Sequence, residues 1–268
     1  MFQPALSFGS RVKIWYHCAM KVLTIVLLSV GCSTTIGVLL GLAVRSLPHK
    51  WNDVVLGFSA GVMLAAACAG LLANAFAPNA ASIALATAGT IAGAGVISLL
   101  DRFIPHLHRL AGIDFETHRN NGSTGRTLLF VAALALHKIP EGLAVGVSFG
   151  TGDIGDVITV AGAISVQNIP EAFVIVAPLF AIEVAPKRIV LISLAIALVS
   201  TVSVLSGCAL VSTFAGALPF LLAAAGGAML YVISDEMIPE THAHGFEKPA
   251  TFALIAGVLS VLILQNLL

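Results

Sequence analysis

Eight stretches of this chain are apolar over lengths that can cross a lipid bilayer, and no other feature restricts its fold so severely. They cover residues 22–44, 54–76, 80–100, 127–149, 157–182, 189–214, 217–235 and 249–267. A spanning helix needs about 20 mostly apolar residues. Composition agrees: 58% of the 268 residues are hydrophobic and only 10% are charged, with a mean hydropathy of +1.02. A soluble domain, at about 25% charged residues, clothes its surface in charge that this chain lacks. The expected fold is therefore all-α and polytopic, a single transmembrane domain of eight helices over residues 1–268. A tail over 1–21 precedes it, and a polar loop over 101–126 joins spans 3 and 4. The first run follows Arg11, Lys13 and Lys21. It is too long for a signal-peptide core and has no clear cleavage site, so it reads as a retained span.

Charge fixes the expected orientation. With eight spans, Arg45, Lys50, Arg102, Arg109, Arg119, Arg126, Lys187, Arg188 and Lys248 all fall on one side. The inter-span loops opposite hold no Lys or Arg, but do hold Asp153 and Asp156. The basic side is cytoplasmic by the positive-inside rule, which puts both termini outside; the cations of the tail run against this. The small size and short tails point to a bacterial inner membrane. Formal net charge is zero, so the basic face that nucleic acid requires is missing. Cys18, Cys32, Cys68 and Cys208 form no CxxC pair and read as small hydrophobes rather than a disulfide or zinc framework.

Within the apolar runs stand residues that lipid penalises. An ionisable group at the centre of a span costs about 2.5 kcal/mol or more, and it persists where it faces protein and does something. Span 4 contains His137-Lys138-Ile139-Pro140-Glu141 and span 5 contains Gln167-Asn168-Ile169-Pro170-Glu171. A more divergent copy, Glu236-Met237-Ile238-Pro239-Glu240, ends span 7. First and last positions are four apart and share a helix face. Each proline also removes a helical N–H and kinks its helix, freeing the carbonyls of Leu136 and Val166. Such carbonyls are tolerated where they line a cavity. The expectation is a midplane pocket between two kinked helices, with His137 and Glu141 on one side and Gln167 and Glu171 on the other. One imidazole, two carboxylates and an amide oxygen suit Zn²⁺, and also Cd²⁺, Mn²⁺, Fe²⁺, Co²⁺ or Ni²⁺; a Mg²⁺ or Ca²⁺ site has no need of the histidine.

His-x-x-Pro-Glu-Gly in span 4 and Gln-Asn-x-Pro-Glu in span 5 resemble the signature of the ZIP (Zrt/Irt-like protein) metal transporters. The specific similarity runs over about residues 128–180, with a weaker echo at 234–245. The resemblance implies transport of a divalent metal, zinc foremost, into the cytoplasm by a non-enzyme. It implies His137, Glu141, Gln167 and Glu171 as ligands, with Met63 of span 2 as a further one. It also implies a second metal position beside the first, using the residues after the histidine and the glutamine. Asn168 keeps that position, but Lys138 replaces the other residue, and span 6 lacks the family's carboxylate. Lys138 is thus expected to act as a built-in cation where a second metal would sit, leaving one metal per site. The metal is cargo, and no resident cofactor is expected.

Further polar groups extend the reading. Asp235, Glu236, Glu240, His242 and His244 gather at the cytoplasmic end of span 7, with Asp53 at the start of span 2. They read either as a solvated helix end or as a metal exit path. His106, His108 and His118 lie in the 101–126 loop, where metal sensing is the minority reading. Gly57 with Gly61, and Gly89 with Gly93, read as tight helix packing or as a homodimer face. Two rival functions remain. A proton-coupled carrier of a small organic solute would use Glu141, Glu171 and Lys138. An intramembrane hydrolase is the weaker rival: H-E-x-x-H is missing, and Gly150-Thr151-Gly152-Asp153 falls in an outer loop without a Tyr-Asp partner. Partners are then the metal ion and the bilayer.

Overall fold

The computed structural model describes residues 8–44, 47–76, 79–103, 123–181 and 183–268, with side chains at 20–44, 47–76, 79–100, 135–180 and 183–268. Most of the 101–126 loop, with His106, His108 and His118, lies outside the described residues, as does Arg45. Eight long helices carry the described chain. They are α1 (Phe8–Val44), α2 (His49–Ala65), α3 (Ala80–Phe103), α4 (Ser123–Ser148), α5 (Ile154–Val174), α6 (Pro186–Thr213), α7 (Leu218–Val232) and α8 (Glu247–Leu267). No strand occurs among the described residues. Seven helical stretches are long and apolar enough to cross a membrane: Met20–Val44, His49–Ala75, Ala80–Leu100, Ile154–Phe180, Pro186–Thr213, Ala215–Thr241 and Glu247–Leu267. The chain is an integral membrane protein. α4 adds a further helix of 26 residues that contains Pro140.

Local chemistry sets several boundaries. α5 starts where Asp153 accepts a hydrogen bond from the Gly155 N–H at 2.7 Å, an N-cap that satisfies one of the helix's free donors. The preceding Gly152 sits at φ 74°, a left-handed conformation that glycine adopts without penalty. Gly150-Thr151-Gly152-Asp153 is therefore a turn and a helix cap, a structural job that accounts for its sequence. α7 continues through a π-helical segment, Ile233–Met237, into Ile238–Thr241. Pro239 cannot donate to the carbonyl of Asp235, and the ladder widens just before it. α2 likewise passes through π-helical Ala66–Leu72.

The helices associate in four close pairs, each built on glycines facing a backbone carbonyl. Gly57 and Gly61 of α2 lie against the carbonyls of Ala250 and Leu254 on α8. Gly89 and Gly93 of α3 meet Phe220 and Ala224 on α7. Gly37 and Gly41 of α1 meet Ile169 and Phe173 on α5, and Gly142 and Gly146 of α4 meet Ser200 and Val204 on α6. In lipid there is little hydrophobic gain in joining helices, so such small-xxx-small contacts carry the packing. The two glycine pairs foreseen as packing or dimer face are thus spent inside the chain, and two more do the same work. Of the seven stretches, His49–Ala75 is the most enclosed at 61% buried and Glu247–Leu267 the least at 17%. Phe252, Leu259 and Ile263 on α8, and Ile91, Val96 and Leu99 on α3, accordingly present bare apolar faces.

Candidate functional site

The polar residues of α4 and α5 meet in the interior. Lys138, 2% exposed, sits one step past His137, so its side chain leaves α4 about 100° further round, toward α5. Its Nζ donates to Glu141 Oε2 at 2.8 Å, to Asn168 Oδ1 at 2.8 Å and to Glu171 Oε2 at 2.5 Å. An ammonium has three hydrogens, and all three are used. Two carboxylates and one amide oxygen, from two helices, therefore share a single cation.

Neighbours hold this cluster in place. Asn168 Nδ2 donates to Ser33 Oγ on α1 at 3.3 Å. Ser59 Oγ on α2 donates to the main-chain carbonyl of Gln167 at 3.2 Å and lies 3.5 Å from its Oε1. Gln167 is fully buried, and its Nε2 has no partner. Met63 follows Ser59 by one turn and is 1% exposed, within the apolar core. Gly142 and Gly146, directly after Glu141, press α4 onto α6, and Gly37 presses α1 onto the Ile169 carbonyl beside Asn168. Both polar helices are thus fixed from behind by contacts that allow little play.

His137 takes a different partner: its Nε2 lies 3.0 Å from Glu236 Oε1, which the π-helical turn of α7 presents. The imidazole expected beside Glu141 is here engaged with the third copy of the motif. Among the described residues, no three of His, Cys, Asp and Glu stand together as a ready metal cage; Lys138 occupies the carboxylates instead.

A second polar group lies where α2 begins and where α7 gives way to α8. His244 Nδ1 and Asp53 Oδ1 are 3.0 Å apart, and His49 stacks on His244 with ring centroids 4.9 Å apart. Asp53 is 1% exposed, and its Oδ2 is buried without a partner. His242 is tied up locally, to the Ile238 carbonyl at 2.8 Å and to Thr251 Oγ1 at 3.1 Å. Asp235 lies within the π-helical turn, and Glu240 in the Ile238–Thr241 turn that precedes His242. Sequence reasoning had no hold on Ser33, Ser59 or His49. Serines in apolar helices are common, and His49 is 195 positions from the ring it stacks on.

Residues 113–265 match the family model described as ZIP zinc transporter. The zinc transporter ZIPB of Bordetella bronchiseptica is 36% identical over 253 residues, 88% of this chain and 78% of the relative. The zinc transporter GufA of Myxococcus xanthus is 39% identical over 180 residues, 66% of this chain and 69% of the relative. The zinc transporter ZupT of Corynebacterium aurimucosum is 32% identical over 248 residues, 88% of this chain and 92% of the relative. A buried two-helix cluster of carboxylates and amides, together with matches over most of the chain, places this protein in the ZIP zinc transporter family.

Proposed function

We propose that this protein carries a divalent metal ion, Zn²⁺ foremost, across the membrane into the cytoplasm through the α4–α5 cluster. Glu141 and Glu171 supply charge, Gln167 and Asn168 supply amide oxygens, and His137 and Met63 complete the set. The observation that supports this reading is the single ammonium shared by Glu141, Asn168 and Glu171. Groups that surround one cation can surround another, and a mixed nitrogen and oxygen set suits Zn²⁺ and its transition-metal neighbours. The relatives, zinc transporters by name, point the same way. α4 is then the eighth span, with Pro140 and Pro170 kinking their helices around a midplane site. The termini lie outside, and the bacterial relatives support an inner membrane.

Lys138 stands as the cation that replaces a second metal, so the site holds one dication at a time. From there the exit path runs by Glu236, which His137 touches, toward Asp235, Glu240, His242, His244 and Asp53 at the basic end. Alternating access around a midplane site is the expected mechanism. Uptake into proteoliposomes across Zn²⁺, Cd²⁺, Mn²⁺, Fe²⁺, Co²⁺ and Ni²⁺, with wild type beside His137→Ala and Glu171→Ala, tests the proposal. Wild type should take up Zn²⁺, and both variants should lose that uptake. A wild type that moves no dication, but moves an organic solute when a pH gradient is imposed, would favour the rival carrier.

A further inference from the structure

Lys138 raises a difficulty for any cation that enters the site. Its ammonium already holds both carboxylates, and it cannot diffuse away because it is tethered to α4. An arriving dication must either sit beside it against like-charge repulsion or push it aside, and a displaced ammonium needs somewhere to go.

Such a place adjoins it. Lys138 lines a small cavity walled mainly by apolar side chains, among them Val38 and Leu179, with Thr34 and Ser193 as the hydroxyls. The room is about that of one water molecule, which is also the size of an ammonium head. Thr34 is 2% exposed, and its Oγ1 is buried without a partner. Buried polar atoms are nearly always bonded, so an orphan calls for an explanation. Ser193 Oγ gives its proton to the Val190 carbonyl at 2.8 Å, which leaves its own lone pairs free to accept. Thr34 follows Ser33, the residue that anchors Asn168, so the cavity and the cluster are neighbours along α1 as well.

We propose that Lys138 is a tethered competitor for the transported dication. Its ammonium holds Glu141, Asn168 and Glu171 until a metal takes the carboxylates, moves into the Thr34–Ser193 cavity, and returns to drive the metal out. This rests on the transport-site reading above and deepens it by assigning the release step. Two carboxylates buried without an internal cation would hold a dication tightly and let it go slowly. With the ammonium at hand, release becomes an exchange of one cation for another: no carboxylate is left bare, and the cost of holding an ammonium in a mainly apolar cavity that has hydroxyls but no anion drives its return.

The test uses the purified full chain in detergent, with Cd²⁺ and Zn²⁺ binding measured by equilibrium dialysis, beside uptake in proteoliposomes. Lys138→Gln should lower the Kd at least about ten-fold and slow uptake at saturating metal by a similar factor. Thr34→Val, a near-isosteric change, should raise the Kd about three-fold, and this effect should vanish in the Lys138→Gln background. Lys138→Gln binding as weakly as wild type, or more weakly, would overturn the proposal. An equal Thr34→Val effect in both backgrounds would overturn it too. If wild type binds neither ion, or His137→Ala and Glu171→Ala bind as wild type does, the transport-site reading has failed instead. The Thr34→Val arm keeps the idea testable even if Lys138→Gln folds poorly, since that variant leaves the buried charges in place.

Discussion

The two polar clusters of this protein solve the same problem differently. In the α4–α5 cluster, Lys138, Glu141, Asn168 and Glu171 are bonded to one another, with one ammonium set against two carboxylates. At the end of the bundle, Asp53 has one bonded oxygen and one orphan, and its partner His244 is a third exposed. The first cluster is closed around its ammonium yet keeps a net negative charge, so a cation is attracted to it but must displace something to enter. The second is half-satisfied, and the side open to solvent is His244 rather than the buried Asp53 oxygen, so an ion reaches the carboxylate once that imidazole turns aside. That contrast suits a deep site that selects and a mouth that hands over.

Breaking the closed cluster should have the largest effect. Glu141→Ala takes one carboxylate from the buried ammonium and leaves it to Glu171 and Asn168, and losing a hydrogen bond between charged groups costs about 1.5–3 kcal/mol. For a domain of this size that lowers the thermal unfolding midpoint by about 6 °C, measurable by a heated size-exclusion assay. Zn²⁺ uptake should fall on the order of 100-fold. A variant that keeps its unfolding midpoint would show that the cluster is not the closed unit described.

The open cluster should separate stability from transport. Asp53→Asn keeps the shape and can still accept from His244 Nδ1, so the unfolding midpoint should move by no more than about 2 °C. The charge that attracts a dication is gone, and a hydrogen bond to a charged group is worth about 1.5–3 kcal/mol. Zn²⁺ uptake should therefore drop about ten-fold. A loss of stability equal to that of Glu141→Ala would erase the distinction between the two regions.

Much of this was legible in the sequence because lipid makes polar residues conspicuous. His137, Lys138, Glu141, Gln167, Asn168 and Glu171 stand out against apolar runs, and their spacing alone puts them on helix faces. What the sequence did not carry was direction. His137 and Lys138 both neighbour Glu141, at four and three residues, and nothing local decides which side chain reaches it. α7 decides, by offering Glu236 to the imidazole. Packing was half-legible for a related reason. Gly57–Gly61, Gly89–Gly93, Gly37–Gly41 and Gly142–Gly146 share one four-residue spacing, which signals close packing but not the partner helix. Which helix each faces is a long-range property, and so is the stacking of His49 on His244.

Ser59 offers the smallest effect and the finest comparison between the two clusters. Its hydroxyl is completely buried on α2 and donates to the Gln167 carbonyl, beside a proline-bearing turn where the helix ladder is already weakened. It does not touch the charged core of the closed cluster, so it acts by holding Gln167 in register, the backbone at 3.2 Å and the amide oxygen at 3.5 Å. A neutral hydrogen bond of this kind contributes about 1 kcal/mol. Ser59→Ala should therefore lower the unfolding midpoint by only about 2–4 °C and raise the KM for Zn²⁺ about five-fold, with the maximal rate kept. Ser59→Thr, which retains the hydroxyl, should restore the KM. A fall in maximal rate at unchanged KM would mean that Ser59 governs a moving step, and that α2 belongs with the moving parts of the carrier rather than with the wall that shapes its site.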